Sequence, residues 1–99
     1  MAFDLYLIWY LIMGFLLANG VPHFAFGAAG RVFRTPFGQR SPPKTNILWG
    51  LSNFIAATII GVALAVLGDY DSYSLAVLLL GFWLVMVMFG TRIKRFLSD

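Results

Sequence analysis

The sequence predicts an all-α membrane protein with three transmembrane helices, and three observations support this class. Of the 99 residues, 61% are hydrophobic and 11% are charged, whereas soluble domains average about 45–50% and about 25%. Three apolar stretches each approach the ~20 residues that a helix needs to cross a bilayer. None of the stretches shows the polar face of a soluble helix or the alternation of a membrane strand.

We expect the three stretches to form one transmembrane domain that spans the chain. The predicted helices cover about 3–19, 47–67 and 74–91. The second and third contain no charged residue, and the first contains only Asp4 near its start. A basic loop over 27–46 is predicted to connect the first two helices.

Helix one is predicted to break near residues 19–22. The sequence NGVP at these positions combines a glycine suited to the left-handed helix end with a proline that cannot continue the hydrogen-bond ladder. The segment that follows, HFAFGAAG, is too apolar for an aqueous loop. We therefore expect a short interfacial helix from Pro22 to about Ala28, with the break covered by protein or water.

The distribution of basic residues predicts the orientation of the chain. All seven follow helix one or helix three, at Arg31, Arg34, Arg40, Lys44, Arg92, Lys94 and Arg95. The other side holds Asp4, Asp69 and Asp71 and no basic residue. By the positive-inside rule, the N-terminus is outside, and the basic loop and C-terminus are in the cytoplasm beneath the inner (plasma) membrane. Anionic lipid then accounts for the net charge of +3 without nucleic acid.

Small residues spaced by four predict that helix one packs on helix two. They are Gly14 and Ala18 on helix one, and Ala57, Gly61 and Ala65 on helix two. Such stripes allow two backbones to approach closely in lipid. Helix three is bulkier, and Trp83 near its middle is expected to pack inward or against a partner surface.

Four uncharged polar residues form a candidate cluster near the basic side: Asn19, His23, Asn46 and Asn53. Asn19 and His23 share one helix face, and Asn53 is expected at the depth of Asn19. Two interpretations stay open. One is a polar pocket for a ligand or a transport path, and the other is an interhelical clasp, worth about 0.6 kcal/mol per contact.

The sequence carries no catalytic or cofactor motif. No charged residue lies in the interior of the spans, and no buried acid matches the one histidine. A lone His23 is weak support for a metal or haem site, although two copies could share a haem. We therefore expect no enzymatic activity, no metal and no cofactor.

The basic loop interleaves cations with aromatic side chains, which suits a segment at the lipid interface. Five of its residues are expected to contact lipid or a partner: Arg31, Arg34, Phe37, Arg40 and Lys44. The alternative is a loop that sets the topology and anchors two helix ends.

Four segments carry a resemblance: NGVPHF at 19–24, TPFG at 35–38, SPP at 41–43 and NILWGLSN at 46–53. In these segments the chain resembles uncharacterised small bacterial multi-pass inner-membrane proteins. The resemblance covers residues 19–53 and implies a membrane location but no activity and no site residue.

These observations favour a protein that acts by association in the membrane. It would be an accessory subunit of a larger membrane complex or a self-assembling unit. The alternative is a homo-oligomeric transporter or channel with a polar path along Asn19, His23 and Asn53. A subunit that holds haem or quinone is a third, less favoured possibility.

Overall fold

Three long helices form most of the structure, a computed structural model that describes residues 5–68 and 71–98. They are α1 (Leu5–Ala28), α2 (Pro43–Leu67) and α3 (Ser72–Phe96). Each helix is long and apolar enough to cross a membrane, which confirms the predicted class of three candidate spans. Phe3 and Asp4 at the predicted start of helix one, and Asp69, lie outside the described residues.

α1 is continuous, so the break predicted at 19–22 is not found. Pro22 lies inside the helix and is buried. A proline removes one backbone hydrogen bond, whereas an unwound segment would leave several backbone groups unsatisfied in hydrocarbon. Gly20 remains helical, and because it has no side chain the backbone of α2 can approach it closely. A Cβ atom at Gly20 would lie 2.9 Å from the carbonyl oxygen of Gly50.

α2 begins at Pro43, before the predicted start at residue 47. A proline is tolerated in the first turn because the N–H that it lacks would have no partner within the helix. The helix ends at Leu67, as predicted, and Gly68 follows in the left-handed conformation with φ 72°. The Gly68 N–H donates to the carbonyl oxygen of Ala65 at 3.1 Å, which closes the last turn.

α3 begins with a capping box and is longer than predicted at both ends. The Asp71 carboxylate accepts a hydrogen bond from the Ser74 N–H at 2.9 Å. In return the Ser74 hydroxyl accepts from the Asp71 N–H at 3.3 Å. These two bonds satisfy backbone donors at the helix start, and the helix then continues to Phe96 instead of ending near residue 91.

α1 lies between α2 and α3, which pack on it from two sides. Gly14 lies against α3 instead of α2, since a Cβ atom there would meet backbone atoms of Leu78 and Phe82. From α3, Gly81 approaches the carbonyl oxygen of Leu11 in the same way. The face of α1 that carries Gly14 therefore packs against α3, which differs from the predicted pairing of Gly14 with helix two.

The other small residues of the two predicted stripes differ from one another in burial. Ala18 and Ala57 are buried, and Gly61 lies against the side chain of Met13 on α1. Ala65 is exposed. The closest approach of α1 to α2 uses Gly20, Gly27 and Gly50 instead.

The loop between α1 and α2 meets the end of the chain. Strand β1 (Val32–Phe33) pairs antiparallel with β2 (Leu97–Ser98). The loop 29–42 and the segment 92–98 therefore lie together, and we call this part of the molecule the basic end. Its centre is Phe33, whose side chain is completely buried although Arg31 and Arg34 lie close to it in the sequence.

Candidate functional site

The four polar residues of the predicted cluster form two hydrogen-bonded pairs. Asn19 on α1 donates from Nδ2 to Oδ1 of Asn53 on α2 at 3.1 Å. Asn53 in turn donates to the carbonyl oxygen of Trp49 at 2.8 Å. His23 Nδ1 lies 3.0 Å from Asn46 Oδ1, and both side chains are buried. Both pairs join α1 to α2, which is the arrangement of a clasp.

The hydrogen bonds of Asn46 fix the proton on His23. Asn46 Nδ2 donates to the carbonyl oxygens of Phe33 at 2.9 Å and Ser41 at 3.1 Å. The amide oxygen must therefore face the imidazole, and an amide oxygen can only accept. Nδ1 of His23 is then the protonated nitrogen, and in the neutral ring Nε2 carries a lone pair.

Aromatic side chains hold the imidazole in place. His23 makes edge contacts with Phe33 and Phe89, with ring centroids 5.1 and 5.9 Å apart. Phe33 itself is stacked between Phe26 at 5.2 Å and Phe96 at 5.5 Å. Because Phe33 of β1 and Phe89 of α3 pack against it, His23 cannot turn without displacing the core of the basic end.

A tight turn positions the loop above this core. Thr35 and Gly38 exchange backbone hydrogen bonds at 3.0 and 3.1 Å. The Ser41 hydroxyl donates to the Gly38 carbonyl oxygen at 2.9 Å. The Thr35 hydroxyl, 2.6 Å from Ser41 Oγ, therefore donates to that oxygen, and it accepts from the Phe37 N–H at 3.0 Å. TPFG at 35–38 forms this turn, and SPP at 41–43 supplies Ser41.

A cavity of about 530 Å³ opens between α1, α3 and the loop at the basic end. Asn19 and His23 line it from α1, Arg34 and Gln39 from the loop, and Phe89 from α3. His23 is 3% exposed, and its Nε2 has no hydrogen-bond partner among the described residues. The cavity therefore offers one unpaired acceptor, His23 Nε2, on a nearly buried side chain beneath a polar and cationic rim.

The cavity contains only part of the predicted cluster. Asn46 and Asn53 do not line it. Gln39 and Phe89 could not be predicted, because no local pattern in the sequence connects a loop residue with the last turns of α3. The predicted transport path stays a prediction; two of its three residues, Asn19 and Asn53, bond to each other.

The five loop residues predicted to contact lipid or a partner are all exposed: Arg31, Arg34, Phe37, Arg40 and Lys44. Arg34 lies over the ring of Phe96, with 5.7 Å from its guanidinium carbon to the centroid, in a cation–π contact. Phe37 is 72% exposed and touches Trp49 edge-on at 5.5 Å. These positions suit contact with lipid, and the partner itself stays a prediction.

The outward face of α3 is a second feature of interest. Trp83 is 60% exposed near the middle of the helix, and its ring contacts only the neighbouring Phe82 among aromatic groups of the described chain. Its indole N–H has no hydrogen-bond partner among the described residues. Trp83 therefore does not pack inward, and its packing against a partner surface stays a prediction.

No protein-family model, characterised protein or solved structure matches this chain. The resemblance to small bacterial inner-membrane proteins therefore stays an expectation. What the fold and site define is a candidate three-span membrane protein with a hydrogen-bonded histidine at its basic end.

Proposed function

We propose that this chain is an integral protein of the inner (plasma) membrane that works by association, first of all with a second copy of itself. The observation that carries the proposal is the exposed Trp83 at mid-span. Tryptophan is enriched at the membrane interfaces, where its N–H reaches water or headgroups. At mid-span it would face hydrocarbon, and a buried indole N–H usually has a partner.

A regular seam of exposed residues surrounds Trp83. Exposed positions recur at intervals of four and three along α3, at Ala76, Leu80, Trp83, Val87 and Gly90. This spacing is the heptad spacing by which two helices pair with left-handed crossing. At Gly90 a Cβ atom would meet nothing within 4 Å, so the seam is open at that end. We call these five residues the α3 seam.

A second copy fits the α3 seam for reasons of symmetry. Two copies inserted in the same orientation present identical seams, which can pair about a two-fold axis. Trp83 then meets its equivalent at the centre, and Gly90 allows close approach near the basic end. Offset or edge-to-face aromatic pairs add about 0.5–1.5 kcal/mol beyond buried area.

Energy transfer between labelled copies tests self-association. Donor- and acceptor-labelled chains are reconstituted into phosphatidylcholine vesicles at decreasing protein-to-lipid ratios. We expect transfer that persists on dilution, and a several-fold weaker association for Trp83→Ala, because the central aromatic pair is lost. Leu84→Ala is the matched control, since Leu84 is exposed beside the α3 seam.

Two results would contradict this proposal. Transfer in the unmodified chain that falls to the level of random proximity on dilution would exclude a stable pair. Equal effects of Trp83→Ala and Leu84→Ala would remove the α3 seam from the interface. Either result would shift the association hypothesis to a different membrane subunit or a different surface.

We also propose that the N-terminus faces outward and the basic end lies in the cytoplasm. The seven basic residues support this orientation through the positive-inside rule. The pairing of β1 with β2 adds support, because it keeps the loop and the end of α3 on one side.

Single cysteines test the orientation, because the chain has none of its own. Ser72→Cys and Lys94→Cys place one exposed thiol at each end of α3. With a membrane-impermeant maleimide on intact cells, we expect labelling at position 72 and none at position 94. Position 94 should react after the membrane is permeabilised. Labelling of position 94 alone in intact cells would reverse the proposed orientation.

A further inference from the structure

We propose that the cavity at the basic end binds the headgroup of an anionic phospholipid whose phosphodiester carries a hydroxylated group, such as phosphatidylglycerol. This site is separate from the α3 seam, on which the proposed association rests. Three features support such a ligand: an unpaired acceptor that lines the cavity, a cluster of cations at its mouth and the position of the cavity in the fold.

The acceptor is Nε2 of His23. Because Nδ1 carries the proton that is donated to Asn46, Nε2 carries a lone pair in the neutral ring. The imidazole ring lines the cavity. Among the described residues Nε2 has no hydrogen-bond partner, so this nitrogen is suited to a ligand in the cavity that donates a hydrogen bond. A hydroxyl group is the smallest ligand group that does so, and a small group is required because the residue is nearly inaccessible.

The cations lie at the mouth of the cavity. A second, smaller cavity of about 300 Å³ is lined by Arg34, Gln39, Arg40 and Arg95. It shares Arg34 and Gln39 with the larger one, so the two spaces are adjacent. Three guanidinium groups around a polar space favour a phosphate, because each can donate two parallel hydrogen bonds to its oxygens.

The position of the cavity favours a lipid over a soluble phosphate ester. Among the residues that the structure describes, the acidic side chain is Asp71, at the start of α3 and opposite the basic end. Met88, Phe89 and Phe96 form an apolar wall of the same cavity. The basic end therefore lies at the depth of the headgroups, where a phosphate can reach the arginines while acyl chains stay in the bilayer.

Nitrogen NMR of His23 tests whether a ligand hydrogen-bonds to Nε2. The full chain is labelled with ¹⁵N-histidine, which gives a single imidazole, and is reconstituted in phosphatidylcholine vesicles. Addition of phosphatidylglycerol is expected to shift the Nε2 resonance and leave Nδ1 unchanged. Phosphatidylmethanol is the matched lipid, since it has the same phosphodiester without the hydroxyl group, and it should leave Nε2 unshifted.

Two arginine variants test whether positive charge at the mouth of the cavity contributes to lipid binding. Arg34→Gln should raise the phosphatidylglycerol fraction needed for half of the Nε2 shift by about tenfold, the loss of one charge-assisted contact. Arg92→Gln is the matched control, because Arg92 is exposed at the same end and lines neither cavity. An unchanged Nδ1 signal shows that each variant keeps the bond to Asn46.

Four results would overturn the proposal. The first is an Nε2 resonance that phosphatidylglycerol does not move, and the second is an equal shift with phosphatidylmethanol. The third is the same shift from soluble glycerol phosphate in plain phosphatidylcholine vesicles, which would assign the chemistry to a soluble ester. The fourth is a Soret absorption band in the purified protein, which would place haem in the cavity.

Discussion

Replacing Asn46 with leucine is expected to lower the free energy of unfolding by about 2–6 kcal/mol, because two buried polar groups lose their partners at about 1–3 kcal/mol each. These groups are the carbonyl oxygen of Phe33 and Nδ1–H of His23. The side chain is completely buried, so water cannot replace the amide. Thermal unfolding of the purified protein in detergent, followed by circular dichroism, measures the loss.

Asn53→Leu is the matched control for Asn46→Leu. It makes the same substitution on the same helix and removes a single interhelical bond, to Asn19. Such bonds average about 0.6 kcal/mol in membrane proteins. The ¹⁵N-histidine spectrum should also separate the two variants, since only Asn46→Leu disturbs Nδ1. Equal losses of stability would show that the hydrogen bonds of Asn46 to Phe33 and His23 contribute no more than the bond between Asn19 and Asn53.

This contrast shows what the sequence can and cannot reveal about the polar cluster. Asn19 and Asn53 could be matched because their depth in the membrane follows from counting residues along two helices. The role of Asn46 could not be read in this way. Two of its partners are the backbone carbonyl oxygens of Phe33 and Ser41, and a backbone acceptor carries no signature in the sequence.

The burial of Phe33 in the core could likewise not be predicted from the sequence. In the sequence it stands between Val32 and Arg34, a pattern that indicates an interfacial segment. In the structure it is buried by Phe96 and Phe89, which lie far away in the chain. The spans themselves were predictable because hydrocarbon imposes a length and a composition on every helix that crosses it.

The glycines of α1 explain why the predicted break is absent. In a soluble protein, Gly20 followed by Pro22 would favour a helix end. In a membrane span, a glycine in a continuous helix allows the backbone of a neighbouring helix to come close. Here the backbone of Gly50 on α2 lies close to Gly20. Sequence alone does not distinguish these two uses of glycine, since the difference lies in the facing helix.

Gly14→Ala is expected to destabilise the packing of α1 on α3 by about 1–3 kcal/mol, the usual effect of overpacking. The added Cβ atom would lie 2.7 Å from the backbone nitrogen of Phe82 and close to the carbonyl oxygen of Leu78. Neither backbone atom can move like the end of a flexible side chain, so the helices must separate. Thermal unfolding in dilute detergent, where copies do not meet, measures the effect on the single chain.

Gly90→Ala on α3 provides the control for this step, because it adds the same atom where nothing lies within 4 Å. Alanine is the better helix former, so this variant should be as stable as the unmodified chain or slightly more stable. The comparison separates helix propensity, which favours both substitutions, from contact between helices, which opposes only the first. If Gly14→Ala proved as stable as Gly90→Ala, α1 and α3 could not lie as close as the structure places them.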